Sequence, residues 1–121
     1  MLAMLFCVVT FSACDKEGSG LLGLYATPSE YSKDFKQDFR KFIIVGKDMV
    51  TYYNVWAVHS SNYYGSGSIK VPGAPGWYVE ANSERTAAYF MNGGKLILEN
   101  GEIYVIDGND LVKTGERYSK F

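Results

Sequence analysis

Short apolar runs follow one another along the last third of the chain, and turn signals separate them. The runs cover 95–99, 102–106, 110–113 and 116–121. Asn100-Gly101, between the first two runs, is typical of a type I′ hairpin turn, because both central residues of that turn need positive φ. Short strands joined by tight Gly turns predict an antiparallel meander.

Four further runs lie earlier in the chain. Residues 21–26 and 42–45 predict short strands, and 49–58 predicts one long strand whose two faces are both apolar or aromatic. A short strand candidate, 68–71, lies inside the stretch 59–76, which is rich in Ser, Gly, Tyr and Pro. We expect this long irregular stretch to carry the function, because binding residues concentrate on loops.

A helical period separates the first two strands. Residues 27–30, Thr-Pro-Ser-Glu, have the form of a capping box with Pro at the first helical position. Aromatic residues then follow at spacings of four, four and three: Tyr31, Phe35, Phe39 and Phe42. The pattern predicts an amphipathic helix over about 28–39. We interpret its aromatic stripe as a face docked on a sheet; the alternative is a groove for a partner.

These elements predict a mainly β fold, an antiparallel meander that closes into a small barrel or half-barrel, with one short N-terminal helix. Closure hides the sheet edges. The first strand carries Gly23-x-Tyr25, and the terminal strand holds Tyr118 and Lys120. This arrangement resembles small lipocalin-like lipoproteins of Bacteroidetes. The resemblance covers most of residues 20–121 and rests on pattern without a diagnostic motif.

The start of the chain has the form of an export signal. Residues 2–11 are an apolar run of signal-peptide length, too short to span a bilayer. Residues 10–14, Thr-Phe-Ser-Ala-Cys, resemble a bacterial lipobox. The resemblance implies a diacylglycerol on Cys14, cleavage before it and acylation of the new amino group. Phe11 stands where Leu is usual, and no Lys or Arg precedes the run, so we expect the true start to lie further upstream.

Three segments follow from the lipobox: a signal peptide at 1–13, a flexible tether at 14–20 and a single β-rich domain at 21–121. The alternative is that 1–13 form a buried element of the domain. Cleavage would remove Cys7 and leave Cys14 as the one mature cysteine, so we expect no disulfide. The lipid would anchor the protein to the bacterial outer membrane, on its periplasmic or cell-surface face.

The charge balance and the motif content bound the possible chemistry. With 12 Lys+Arg against 13 Asp+Glu, the chain offers no electrostatic reason to bind nucleic acid. His59 is the one histidine, and the sequence lacks a phosphate loop, a dinucleotide fingerprint and a nucleophile elbow. Residues 107–110 resemble part of a calcium loop, but a hairpin turn explains them better. We therefore predict no catalytic residues, no metal and no cofactor, and a hydrolase is the least favoured function.

Aromatic residues on and around the long irregular stretch are the remaining candidates for a binding surface. This predicted ligand-binding set is Trp56, His59, Tyr63, Tyr64, Trp77 and Tyr78. Such residues stack on sugar rings or line an apolar pocket. The competing interpretation, which the abundance of aromatics in small β cores favours, is that both Trp are core residues and that Tyr63 and Tyr64 pin the loop.

Two functional hypotheses follow. The first is a non-enzymatic, lipid-anchored binding module whose barrel holds a small apolar or glycan ligand. The second is a structural or protein-interaction lipoprotein that pairs with another envelope protein and has no small-molecule site.

Overall fold

Strands dominate the part of the chain that the computed structural model describes, residues 19–60 and 62–121. The predicted signal peptide, the predicted lipid-bearing Cys14 and most of the predicted tether lie outside these residues. The strands within them are β1 (Gly23–Ala26), β2 (Glu30–Ser32), β3 (Gln37–Arg40), β4 (Phe42–Val45), β5 (Met49–Tyr53), β6 (Ala57–Val58), β7 (Ser68–Lys70), β8 (Tyr78–Glu80), β9 (Glu84–Asn92), β10 (Lys95–Leu98), β11 (Ile103–Asp107), β12 (Asp110–Lys113) and β13 (Glu116–Lys120).

The helical content of the described residues is three 3₁₀ turns, Ser19–Leu21, Gly65–Gly67 and Ala81–Ser83. None of these turns has the length and apolar character that a membrane-crossing helix needs.

Eight of the strands form a closed antiparallel barrel in the order β1-β4-β5-β9-β10-β11-β12-β13. Each strand pairs with the next barrel strand along the chain, and β13 returns to β1 through Tyr25 opposite Lys120 and Ala26 opposite Ser119. The predicted meander and its closure into a barrel are therefore confirmed. Closure leaves no free edge among these eight strands, which removes the sites where exposed strands pair with other chains.

The barrel interior is a packed core rather than a hollow. Because side chains alternate between the two faces of a strand, every second residue points inward. The inward set is Tyr25, Ile43, Val45, Val50, Ala87, Leu96, Leu98, Tyr104, Leu111 and Tyr118. Each of these residues is at most 4% exposed, so their side chains fill the middle of the barrel.

A second, five-stranded sheet in the order β2-β3-β6-β8-β7 covers part of the barrel's outer surface. It is built from two insertions into the meander, one between β1 and β4 and one between β5 and β9. The outward residues Ala26, Phe42 and Tyr53 of the barrel pack against Trp77 and Val79 of this layer. Burial of each large apolar side chain contributes about 1.5–3 kcal/mol, so this second core holds the layer on the barrel.

The predicted helix over 28–39 is wrong, because these residues form the β2–β3 hairpin. The Thr27 hydroxyl accepts a hydrogen bond from the backbone N–H of Lys41 at 2.9 Å and so does not serve as a helix cap. The hairpin turns at Lys36, whose φ is +55°. Strand β3 then pairs with β6, with Phe39 opposite Val58. These long-range pairings outweigh the local helical pattern.

The predicted long strand over 49–58 is also wrong, since it breaks after Tyr53. The backbone N–H of Asn54 donates to the Ser83 carbonyl at 3.0 Å, and the chain leaves the barrel there for the second sheet. The sequence pattern missed β8 and β9 altogether. Strand β9 begins with the polar residues 84–86, which hide its strand character.

The Asn100-Gly101 hairpin exists, but its turn differs from the expected type I′. Gly101 has a φ of +94° and donates its N–H to the Leu98 carbonyl at 2.9 Å. Asn100 has no positive φ, which is the pattern of a type I turn followed by a Gly bulge. The type I′ pattern occurs instead at Gly93-Gly94, where φ is +59° and +77°.

Candidate functional site

A broad, open groove of about 560 Å³ lies beside the β2–β3 hairpin. Its other wall is formed by residues 54–56, between β5 and β6, and residues 63–64, between β6 and β7. We call it the aromatic groove. Its lining residues are Glu30, Tyr31, Ser32, Phe35, Phe39, Asn54, Val55, Trp56, Tyr63 and Tyr64.

Four rings form a continuous cluster along the groove. The ring centroids are 6.1 Å apart for Phe35 and Phe39, 5.6 Å for Phe39 and Tyr63, and 5.0 Å for Tyr63 and Tyr64. All of these pairs meet edge to face, the geometry that the ring quadrupoles favour. Phe35 is 59% exposed and Tyr63 is 37% exposed. The cluster therefore holds its rings in place while it leaves apolar surface open to solvent.

Trp56 is fixed by two contacts. The Tyr64 hydroxyl donates to the Trp56 carbonyl at 2.6 Å, and burial raises the pKa of Tyr64, which keeps this donor protonated. The Lys41 ammonium lies 5.5 Å from the centre of the Trp56 ring, within cation–π range. The first contact holds the Trp56 backbone, and the second places a cation against its indole ring.

Polar groups interrupt the aromatic lining. Glu30 contributes a carboxylate, Asn54 an amide and Ser32 a hydroxyl that accepts from the Phe35 backbone N–H at 3.3 Å. A lining that alternates ring surface with hydrogen-bonding groups suits a ligand with both apolar faces and hydroxyl or amide groups.

The structure brings together three of the six residues of the predicted ligand-binding set: Trp56, Tyr63 and Tyr64. The other three lie apart from the groove. Trp77 is 7% exposed in the second core, and the exposed His59 contacts its ring at a centroid distance of 5.0 Å. Tyr78 is half-buried in β8, opposite Val58.

Sequence reasoning missed the contribution of the β2–β3 hairpin. The helical period predicts a face docked on a sheet, with a partner groove as the alternative, whereas Tyr31 is 61% exposed on a strand and lines the groove with Phe35 and Phe39. Of the stripe, Phe42 is buried in the second core. The sequence feature that could have identified this wall is the high density of aromatic residues both in 31–39 and in the loop at 63–64. The helical spacing of the first group led instead to a helix prediction.

A second cavity, of about 300 Å³, opens at one end of the barrel, and we call it the barrel mouth. Two ion pairs stand there: Lys41 with Glu116 at 2.9 Å and Lys113 with Glu102 at 3.0 Å. Burial opposes the ionisation of Glu116, but hydrogen bonds from Lys41 and Tyr118 outweigh it and lower its pKa. A general acid needs the opposite shift, so Glu116 has the wrong properties for acid catalysis.

Acidic residues elsewhere do not assemble a cation site. No group of three or more His, Cys, Asp or Glu within residues 19–60 and 62–121 could hold a metal ion. Asp107 and Asp110, the carboxylates of the partial calcium-loop pattern, both pair with Arg117, at 2.7 and 2.9 Å. They close the β11–β12 hairpin, as the turn interpretation expects.

Comparisons with known proteins add no identification. No protein-family model matches the chain, and neither curated proteins nor solved structures gave a match. The class that the fold and groove define is a small, filled, eight-stranded antiparallel barrel with a side sheet that carries an aromatic groove.

Proposed function

We propose that this protein is a non-enzymatic, lipid-anchored binding module of the bacterial cell envelope and that its aromatic groove binds a glycan. The carrying observation is the cluster of rings, led by Phe35 and Tyr63, that stays exposed in an open groove beside Glu30 and Asn54. Large exposed aromatic surface is costly to leave in water, and its concentration in one concavity is typical of a binding site.

The mixed lining favours a glycan over a purely apolar ligand. Small apolar ligands bind best where they are almost fully enclosed, and the barrel interior is filled with side chains. Sugar rings present C–H faces that stack on aromatic rings and hydroxyl groups that pair with carboxylates and amides. An open groove also admits a chain of sugars from the side.

The anchoring part of the proposal rests on residues 10–14 and their likeness to a lipobox. Each buried methylene of an acyl chain contributes about 0.8 kcal/mol, so two or three chains on Cys14 would hold the protein firmly on the outer membrane. The domain begins shortly after this residue, so the tether between the lipid and the barrel would be short.

The groove is tested by Tyr63→Ala and Phe35→Ala, which remove exposed rings and so should leave the fold intact. We expect each variant to bind soluble cello-, malto-, manno- or chito-oligosaccharides about tenfold more weakly in titration calorimetry, the loss of one stacking contact. Phe90→Ala is the matched control, because Phe90 is 56% exposed on the outer barrel face, away from the groove.

Two results would count against the groove. One is unchanged oligosaccharide binding by both variants. The other is a large drop in their melting temperature, which would make these rings structural rather than ligand-binding.

A second candidate function, docking to an envelope protein, is favoured by one observation. Phe90, Ile97 and Ile103 form a cross-strand row on the outer barrel face, and Phe90 and Ile103 are 56% and 46% exposed. Loss of an in-cell crosslinked partner in Phe90→Ala, but not in Tyr63→Ala, would favour this candidate.

A further inference from the structure

The barrel mouth has the size and lining of a polar binding pocket. Its volume is about 300 Å³, and its polar lining includes Lys41, Asn54, Glu102 and Lys113. Aromatic side chains, among them Tyr52, complete the wall. The pocket thus differs from the aromatic groove, whose lining is mainly ring surface.

Each charged side chain that lines this pocket is paired with an opposite charge. Lys113 pairs with Glu102, and Lys41 pairs with Glu116, which does not itself line the cavity. A ligand with a net charge would lose its hydration in this half-buried site without meeting an unpaired opposite charge. A neutral ligand faces no such cost, so the balance selects for neutral, hydrogen-bonding molecules.

The same pairs retain unused hydrogen-bonding capacity. An ammonium has three N–H donors and a carboxylate has about four acceptor positions, more than each ion pair consumes. Adjacent donors and acceptors match neighbouring hydroxyl groups, each of which both donates and accepts.

The tyrosine hydroxyls at the mouth hold the acidic side chains in place, and Tyr118 donates its O–H to Glu116 at 2.9 Å. Burial, followed by the nearby Glu102 and Glu116, raises the pKa of Tyr104 well above its usual range. Tyr53 is 6% exposed, and its hydroxyl has no hydrogen-bond partner within the described part of the chain. That hydroxyl is itself shielded from solvent, so it adds no polar surface to the cavity.

The barrel mouth and the aromatic groove are neighbours. Asn54 lines both of them. Lys41 links them as well, because its ammonium bonds to Glu116 at the mouth and lies over the ring of Trp56 in the groove. One extended ligand could therefore contact both.

We propose that the barrel mouth is a subsite for one neutral sugar unit of the glycan whose chain lies along the aromatic groove. This inference rests on the proposed function, because it takes the groove ligand to be a glycan. It assigns the choice of sugar to the barrel mouth, because hydrogen bonds discriminate among hydroxyl patterns more sharply than ring stacking does.

The test uses the purified full chain, labelled with ¹⁵N, and the probes are the methyl glycosides of glucose, galactose, mannose and N-acetylglucosamine. We expect at least one probe to shift the backbone amide signals of Tyr104 and Lys113 with millimolar affinity. Acetate and glycine betaine are the charged and zwitterionic comparison probes.

The mouth variant is Glu102→Gln combined with Lys113→Met, which removes an entire ion pair and leaves no lone charge. We expect it to weaken methyl glycoside binding about tenfold or more, because charge-assisted hydrogen bonds are lost. The matched control combines Asp107→Asn, Asp110→Asn and Arg117→Gln, which removes all the charges of an ion-pair cluster of the same barrel outside both sites. It should bind the probe as the native protein does.

The outcomes separate the two proposals. If no methyl glycoside shifts the mouth signals, or if only acetate or betaine does, the subsite is overturned. If the mouth variant leaves oligosaccharide binding unchanged while Tyr63→Ala weakens it, the subsite is also overturned and the groove stands. If a methyl glycoside binds at the mouth but no oligosaccharide depends on Tyr63, the subsite is supported and the groove proposal fails.

Discussion

At the scale of single residues, neighbouring positions of similar chemistry have different roles. Trp56 and Trp77 both belong to the predicted binding set, yet Trp56 lines the groove and Trp77 is 7% exposed in the second core. What separates them is contact with Phe42, whose ring lies 5.7 Å from that of Trp77. No local pattern distinguishes the two, because this contact joins residues far apart in the chain.

Glu116 should make the stability of the protein depend on pH. Its pKa is lowered below 4.5 in the folded state, despite burial, by hydrogen bonds from Lys41 and Tyr118. Its contribution is therefore fully present above pH 4.5 and is lost as the pH falls through the folded pKa. We expect Glu116→Gln to lower the free energy of unfolding at neutral pH and to differ less from the native protein in acid. Urea unfolding across this pH range measures both.

Glu99 offers the control for this prediction. It is an exposed carboxylate whose side chain accepts from the Ala88 backbone N–H, without a cationic partner in the described part of the chain. Glu99→Gln should remove little of the acid-sensitive stability. A stability difference for Glu116→Gln that stays constant from neutral to acid pH would contradict the role assigned to its ion pair.

At the scale of elements, the β2–β3 hairpin carries half of the groove. Its turn holds Lys36 at a φ of +55°, with the Lys36 N–H bonded to the Ser32 carbonyl at 2.7 Å. This left-handed conformation costs a residue with a side chain about 1–2 kcal/mol, whereas Gly adopts it freely. The hairpin tolerates the strain because β3 is paired on both sides, to β2 and β6.

Lys36→Gly should therefore stabilise the protein. After the larger unfolded-state entropy of Gly is subtracted, we expect a gain of about 0.5–1 kcal/mol and a rise of a few degrees in melting temperature. Lys33→Gly, in the same turn without a positive φ, is the control and should destabilise slightly. A helix over 28–39 would reverse the first result, because Gly inside a helix is destabilising.

At the scale of the whole molecule, the barrel and its side sheet divide the tasks. The barrel supplies a packed core and, at one end, the polar mouth, while the two insertions build a layer that presents the groove. Loss of ring surface in the groove should not disturb the barrel core, because the two are separate clusters. This separation is what makes the groove variants informative.

The Cys14→Ala variant tests whether a lipid on this residue anchors the protein to the membrane. We expect it to abolish incorporation of labelled palmitate and to move the protein out of the membrane fraction, because the acyl chains would supply the anchoring free energy. Cys7→Ala is the control and should label as the native protein does, since cleavage before Cys14 would remove Cys7. Palmitate labelling that survives in Cys14→Ala would rule out this residue as the anchor.

The sequence by itself determined the last third of the barrel. Strands β10 to β13 and the positions of their turns follow from short apolar runs separated by Gly turns, both of which act between residues close in the chain. Apolar and β-branched runs also identified β1 and β4, and closure followed from the need to hide edges. Of the groove, Trp56, Tyr63 and Tyr64 could be named because they flank a long irregular stretch.

Tertiary structure alone decided the rest. Residues 28–39 fit a helix locally, but pairing of β3 with β6 and the Thr27–Lys41 hydrogen bond made them a hairpin. The layer that covers Phe42 determined which aromatic side chains are buried. At the barrel mouth, the fold places Lys41 beside Glu116, 75 residues away in the sequence. Such contacts join distant segments, and their free energy outweighs local propensity by several kcal/mol once whole faces are buried.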